Sequence, residues 1–318
     1  MKKIVLVGGG SGSFEVLRGL KNYPYEIVSI PTTFDSGTHT GEIRDKFGTL
    51  PAGDVRRHIL ALAPEDSASI LRQIFMFRFK ERGYSHSKSL GNLIIMAAEK
   101  ITEHPVSGID AISRLFNIRG RVLPVSIDDA HVCVKLKDGR VIRGEANIDK
   151  PKHDGNIPIV SVYLEPKAVI YSETHDAIVS ADLIVFSPGD LYTSNLPNIV
   201  VQGFKEAVHK CRGQKICVGN LMTKWGETNG YAVADCVRVI LRYLGLKKFD
   251  AVITHSLPLN PALLKKYAKE KAYPMAVNEA KLSRYARRII KGNVVDESGG
   301  IIRHSARKLA LLINECLS

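Results

Sequence analysis

The chain opens MKKIVLVGGGSGSFEVLRGL (residues 1–20), and the fold class follows from how that stretch is read. Lys2 to Val7 has the short apolar pattern of a buried strand, and Phe14, Leu17 and Leu20 recur at helical spacing. Between them lies Gly8-Gly9-Gly10-Ser11-Gly12-Ser13, and EIVSIPTTF (26–34) then reads as a second strand. In a strand–turn–helix–strand unit, glycines let the backbone approach a phosphate, which the free N–H groups and positive end of the helix hold. Gly8, Gly9, Gly10, Ser11 and Gly12 are therefore candidates for nucleotide or phosphate binding. The turn is not a clean G-x-G-x-x-G, because Ser13 stands at the third glycine. It is not a Walker A loop, because no Gly-Lys-Ser/Thr follows. The turn alone names no ligand.

Outward from this opening, residues 54–119 read as mostly helical, with VRRHILALA, ILRQIFMFRFKERG and LGNLIIMAAEKITE each apolar at spacings of three and four. From 121 to 172 the period changes: RVLPVSI, HVCVKLKDGRVIRGEANI and PIVSVYLEP alternate or run β-branched, with a hairpin turn at Lys137-Asp138-Gly139-Arg140. The α/β rhythm then returns. ADLIVFSPGD, KICVGNLM and FDAVITHS read as strands, and IVVQGFKEAVHK, YAVADCVRVILRYLG, PALLKKYAKEKA and KLALLINECL as helices. The expected fold is an α/β, doubly wound, mainly parallel Rossmann-like sheet with a helical insertion and a small antiparallel β element. Its parts are an N-terminal half (1–120), the antiparallel element (121–172) and a C-terminal half (173–318) completing the same sheet.

Composition narrows the function. A chain of 318 residues with 45% hydrophobic and 24% charged residues is an ordinary globular protein. Its first apolar run is too short for a signal peptide and no stretch reaches the length of a membrane span, so a cytoplasmic chain without a span is expected. Five cysteines without a C-x-x-C pair argue against a disulfide framework, and ten histidines without H-E-x-x-H argue against a zinc site. The net charge of +13 suits nucleic acid, phosphorylated small molecules or a basic surface. With no zinc finger, RRM signature or basic zipper, nucleic acid is not the expected partner. A homodimer and an unidentified protein partner fit the sequence but are not read from it.

Further polar turns follow the strands. FDSGTHTGEIRDKFG (34–48) places Asp35 at the end of the second strand, where a doubly wound fold binds ligands, with Ser36, Gly37, Thr38, His39, Thr40, Gly41 and Arg44 in the loop beyond. Asp35 suits ribose hydroxyls, and His39 a proton acceptor. PAGDVRRHI (51–59) adds Asp54 and Arg56, Asp54 also being a good helix N-cap. SPGDLYTSNLP (187–197) and NLMTKWGETNGYAVAD (220–235) are two more turns leading toward helices. Convergence of several such turns on one crevice favours a binding site.

VGGGSG with LRGL, FDSGTHTG, LPAGDVR, LGN (90–92), SPGDLYTSNLPN, NLMTKWGETNGY and IRHSARKLA (302–310) together resemble the motifs of the 2-phospho-L-lactate transferase and gluconeogenesis factor superfamily, in order over nearly the whole chain. One branch joins phospholactate to a deazaflavin alcohol with loss of a guanosine nucleotide, using magnesium. The other, gluconeogenesis factor, binds UDP-sugars such as UDP-N-acetylglucosamine and is tied to cell shape, wall synthesis and gluconeogenic growth. PGDLYTSNLPN and MTKWGETNGY are more similar to the second. The resemblance implies that Gly8 to Gly12 meet the nucleotide phosphates and that Asp35 lies near the metal or acceptor. It further implies that Gly189, Asp190, Leu191, Tyr192, Thr193, Asn220 and Thr223 line the nucleotide side, with Arg303 as a basic residue near the C-terminus. Where relatives carry A-D-D-G-G-S-S-G, this chain has Phe34-Asp35-Ser36-Gly37-Thr38-His39-Thr40-Gly41, without the second acid and second glycine. Magnesium takes one or two carboxylates plus substrate phosphates, so a single Asp35 predicts a weaker metal hold and leaves nucleotide binding intact.

Three functions compete at this point. The leading one is a UDP-sugar-binding regulator of carbon flux or wall synthesis; the alternative is a magnesium-dependent transferase of the phospholactate class. The third, a nicotinamide-dependent dehydrogenase, rests on the first turn and Asp35 alone.

Overall fold

The computed structural model describes residues 1–37, 48–65, 70–79 and 88–317. Among the described residues, fourteen strands run in chain order: β1 (Lys3–Val7), β2 (Glu26–Ile30), β3 (Arg78–Phe79), β4 (Lys88–Ser89), β5 (Arg121–Val122), β6 (His131–Leu136), β7 (Val141–Arg143), β8 (Ile159–Glu165), β9 (Leu183–Phe186), β10 (Gln214–Val218), β11 (Phe249–His255), β12 (Ala286–Gly292), β13 (Val295–Asp296) and β14 (Arg303–His304). Seven form one sheet in the order β12-β11-β10-β9-β1-β2-β5, every neighbouring pair parallel. The chain lays down β1, β2 and β5 in one direction, returns to the other side of β1 with β9, and continues outward. The order reverses between β1 and β9, where doubly wound folds open a crevice beyond the strand ends.

Strand alternation builds two cores. Val5 and Val7 of β1 face one side of the sheet with Val28 and Ile30, while Ile4 and Leu6 face the other with Ile27. The first side is covered by a three-stranded antiparallel sheet, order β7-β6-β8, through Val132, Val134, Leu136, Val162 and Leu164. The second is covered by helices Gly10–Leu20, Ala52–Leu62 and Ala306–Leu317 through Leu17, Ile59 and Ile313. Burial on both faces is why β1 and β9 read as continuous apolar runs. The helical insertion, Leu90–Thr102 and Pro105–Leu115, extends the second side. Gly139 at φ +94° turns the β6–β7 hairpin at the expected place, and Gly245 at φ +68° ends helix Val233–Leu244.

Four stretches differ from the sequence reading. The helix read over ILRQIFMFRFKERG ends at Met76 and Arg78–Phe79 is a strand, and the strand run HVCVKLKDGRVIRGEANI closes in a helix at Glu145–Asp149. RVLPVSI belongs to the large sheet, since Arg121 and Val122 pair with Val28 and Ser29; Leu123 N still bonds Ser29 O, and Pro124, which has no N–H to give a ladder, ends the pairing. IVVQGFKEAVHK is not one helix. Gly203 adopts φ +92°, Gln202 bridges Val169, and the helix starts only at Phe204, ending at Lys210.

Candidate functional site at the sheet switch point

Val7 and Phe186 are paired neighbours at the ends of β1 and β9, so the turns that follow them meet. The Ser13 and Ser187 hydroxyls lie 2.6 Å apart, and Ser13 Oγ also donates to Gly9 O at 3.0 Å. A Cβ on Gly8 would stand 2.2 Å from Ser187 Oγ, and one on Gly12 only 2.0 Å from the Pro188 carbonyl oxygen. These glycines are required by contact between the two turns, a role separate from contact with a ligand. Asn220, just past β10, fixes the second turn: it accepts from Gly189 N at 2.9 Å and donates to Gly189 O at 2.7 Å. Asn220→Asp would set a carboxylate oxygen against that carbonyl. It is expected to cost about 1–3 kcal/mol of stability, read as a lowered denaturation midpoint.

Two cavities open here and share Ser11 and Asp190. The smaller, about 270 Å³, is lined by Ser11, Gly12, Gly189, Asn220, Thr223 and Arg303, with Met222, Tyr267 and Ile302 as its apolar wall. Of the residues that the resemblance implies for the nucleotide side, it gathers Gly189, Asn220, Thr223 and Arg303. Arg303 also pairs with Asp296 at 3.4 Å. Leu191 and Tyr192 are core residues, 1% and 2% exposed, and line neither cavity. They belong to Leu191–Asn195, a wide helical turn of the type often found at functional sites.

The larger cavity, about 680 Å³, is lined by Gly10, Ser11, Asp35, Gly37, Asp54 and Thr193 among others. Asp54 does not cap its own helix, which Pro51 precedes. Its carboxylate accepts from Gly10 N at 3.1 Å and pairs with Arg57 at 2.9 Å. Gly9, the cap residue of helix Gly10–Leu20, has no side chain to serve that end, so an acid from another helix takes the position of a bound anion. Arg56 turns away and bonds Asn92 at 2.9 Å, while Arg57 lines the cavity. Ser36 accepts from Ala146 N at 3.1 Å. Thr38, His39, Thr40, Gly41 and Arg44 lie outside the described residues.

The sequence reading missed the wall that the antiparallel element contributes. Its short helix Glu145–Asp149 brings Glu145, Asn147 and Asp149 into the larger cavity, with Lys150 and Lys152 beyond. The Glu145 carboxyl bonds that of Asp35; burial and then the Asp35 charge push it up to about 9. Asp35 is also raised, by burial against the opposing Gly37 N–H, with Asp54 adding to the rise. Asp149, Asp190 and Glu227 place oxygens within 4.8 Å of one another, and here the protein supplies its own cation. Lys224 Nζ lies 2.7 Å from Asp149 and 3.8 Å from Asp190. Burial lowers the pKa of this ammonium, but Asp190 and Asp149 outweigh it and hold the group above its ordinary range. The only sequence signal for this wall is the charged run EANIDKPK (145–152), which also reads as a plain surface turn.

Magnesium, which the resemblance implies, meets a suitable donor set: Asp35 and Asp54 offer hard carboxylate oxygens on one cavity. Asp35 fits its place because Gly53 has no side chain; a Cβ there would stand 2.6 Å from Asp35 Oδ2.

A doubly wound, parallel sheet with polar turns meeting at its switch point defines an α/β protein of Rossmann-like fold. The family model described as 2-phospho-L-lactate transferase CofD matches residues 4–295, and the chain belongs to that family. It is similar to gluconeogenesis factor of Halalkalibacterium halodurans, 36% identical over 99% of this chain and 96% of the relative. It is also similar to gluconeogenesis factor of Bacillus subtilis, 34% identical over 99% and 98% of the two chains. The crystal structure of a upf0052 family protein from Bacillus halodurans superposes with a TM-score of 0.91 at 36% identity, covering 98% of this chain and 99% of that one. Among the described residues, no helix is long and apolar enough to cross a membrane.

Proposed function

We propose that the paired cavities bind a nucleoside diphosphate sugar of the UDP-sugar type, and that the protein acts as a gluconeogenesis factor regulating carbon flux, wall synthesis and cell shape. The observation that carries this reading is the junction of Gly8–Ser13 with Ser187–Asp190 at the strand-order reversal. The nucleoside occupies the smaller cavity against Met222, Tyr267 and Ile302, beside Thr223 and Arg303. The diphosphate crosses at Ser11 and Asp190, which the cavities share, and the sugar enters the larger cavity. Because Asp54 already takes the Gly10 N–H and Asn220 the Gly189 N–H, the phosphates sit on the Ser11 side of the turn. Lys224, Lys150 and Lys152 offset their charge. The relatives' name supports this reading over transfer.

Calorimetry with UDP-N-acetylglucosamine and UDP-glucuronate tests it. Gly10, at φ +74°, tolerates no ordinary side chain without strain, and Gly10→Asp adds a second acid to the helix end that Asp54 occupies. Binding is expected to weaken at least ~100-fold, about 2.7 kcal/mol. Silence from every uridine, guanosine and adenosine diphosphate compound would refute the reading. The Asp35–Glu145 pair favours a second reading, a phospholactate-type transferase in which magnesium, when bound, neutralises phosphate charge. In it Asp35 orients the acceptor hydroxyl. Turnover of guanosine-diphospho-lactate with a deazaflavin alcohol, lost in Asp35→Asn, would select it.

A further inference from the structure

The turn after β10 holds the walls of both cavities together. Its Glu227 carboxyl takes the Tyr192 N–H and the Thr193 hydroxyl of the wide turn Leu191–Asn195. Its Gly226, at φ +85°, lies against the antiparallel element, where a Cβ would stand 2.6 Å from Pro151 Cγ. The Trp225 ring covers Gly155, where a Cβ would meet Cε2 at 2.6 Å, and Asn229 Nδ2 donates to the Gly155 carbonyl at 2.6 Å. Lys224 opens this turn with a fixed backbone: its N–H donates to Thr228 Oγ1 at 2.9 Å, and its carbonyl accepts from Thr228 N at 2.9 Å.

That backbone aims one long side chain at the junction. Lys224 Nζ lies 2.7 Å from Asp149 on the antiparallel element and 3.8 Å from Asp190 on the turn after β9. The first is a hydrogen bond, and the second is an ion pair too long to be one. An ammonium carries three N–H donors, and this side chain is 34% exposed, so donors remain for a further acceptor. Asp190 lines both cavities, at the place where the diphosphate crosses. A carboxylate there repels phosphate, and the ammonium beside it offsets that repulsion. Lys150 and Lys152 line the larger cavity alone and Arg303 the smaller alone, so none of them serves the shared point.

We infer that Lys224 is the residue by which the site selects a diphosphate over a monophosphate or an uncharged nucleoside. Its ammonium keeps the Asp149 hydrogen bond and gives its free donors to a phosphate oxygen beside Asp190, so one anion draws the antiparallel element and the turn after β9 together. A monophosphate stops short in the smaller cavity, whereas the second phosphate of a diphosphate reaches Asp190. This selection rests on the nucleotide reading of the cavities and sets which phosphate carries the affinity.

Calorimetric titration of the full chain with uridine, UMP and UDP tests it. The wild type is expected to bind UDP about thirtyfold or more tighter than UMP. Lys224→Met should weaken UDP about tenfold or more and UMP about threefold or less, and Lys224→Arg, which keeps the charge, should restore the UDP preference. Trp225 is the single tryptophan of the chain, and an unchanged emission maximum shows that the turn is intact. If Lys224→Met disturbs it, Lys224→Gln, which keeps an N–H for Asp149, replaces it with the same expectation. A wild type without UDP preference, an unchanged UDP-to-UMP ratio in the folded variant, or equal weakening of uridine, UMP and UDP would overturn the selection and leave the nucleotide reading standing. A wild type that binds none of the three, and no UDP-sugar, would refute the nucleotide reading and the role of Lys224 with it.

Discussion

Gly12→Ala is expected to destabilise the protein by about 2–4 kcal/mol, lowering Tm by about 5 °C or more, and to abolish nucleotide binding. Intrinsic propensity predicts the opposite sign. Gly12 lies in the first turn of helix Gly10–Leu20, where alanine is favoured by about 1 kcal/mol. Packing decides against it, because the new Cβ would stand 2.0 Å from the Pro188 carbonyl oxygen and 2.6 Å from its carbon. Both are backbone atoms, so relief requires moving the whole Ser187–Asp190 turn. That turn is held by two bonds to Asn220 and by the Ser13–Ser187 contact, and each resists the shift. The comparison is Gly139→Ala, at φ +94° with open space around it, where backbone strain alone costs about 1 kcal/mol and ligand binding is untouched. Differential scanning calorimetry and UDP-sugar titration of the two variants check the pair. Equal effects at the two sites would mean that contact between the turns does not shape the cleft.

Gly12 also shows what was legible in the sequence. The opening run announced a strand, a tight turn and a helix because burial on both sides of a parallel strand and one-sided burial of a helix leave different apolar periods. The turn after β9 was visible for the same reason. Local pattern cannot report which surfaces meet. Asp54 read as a helix cap, since acids at helix starts are common, yet its carboxylate reaches 44 positions back to Gly10 N. Arg56 and Arg57 are adjacent in sequence, and only helix phase separates the one bonded to Asn92 from the one lining the cavity. Tyr192 stood in a motif that marks the nucleotide side, but its ring belongs to the core behind it. Glu145 was hidden most deeply: it lies 110 positions from Asp35 in sequence, in a short helix of the antiparallel element, and nothing in GEANIDKPK distinguishes it from a solvated turn. The Asp35 loop carries Ser36 where the resemblance implies a second acid, and the fold brings the Glu145 carboxyl to that loop from elsewhere.

Glu227 carries a large pH dependence. The side chain is 4% exposed; it accepts from Tyr192 N at 2.8 Å and from Thr193 Oγ1 at 3.0 Å, and so serves the start of the wide turn Leu191–Asn195. Burial, then the Asp190 charge, lift its carboxyl from the ordinary 4.5 to about 8; the two hydrogen bonds and Lys224 oppose the rise without cancelling it. The sign follows from linkage. Below 4.5 both folded and unfolded chains hold the proton, and the residue adds no slope. Between 4.5 and about 8 the unfolded chain releases it while the folded chain keeps it, so stability falls as pH rises, by a total on the order of 5 kcal/mol. Above about 8 both are ionised and the loss is complete. Glu227→Gln removes the proton but not the contacts: its amide oxygen still accepts from Tyr192 N, and its NH₂ donates to a Thr193 hydroxyl that reverses its role. The variant is therefore expected to match the wild type within about 1 kcal/mol at pH 5 and to be the more stable protein at pH 8.5. Urea denaturation at the two pH values measures this. A stability difference between the two chains that stays constant from pH 5 to 8.5 would show that the carboxyl ionises equally in folded and unfolded states, which a side chain enclosed beside Asp190 should not do.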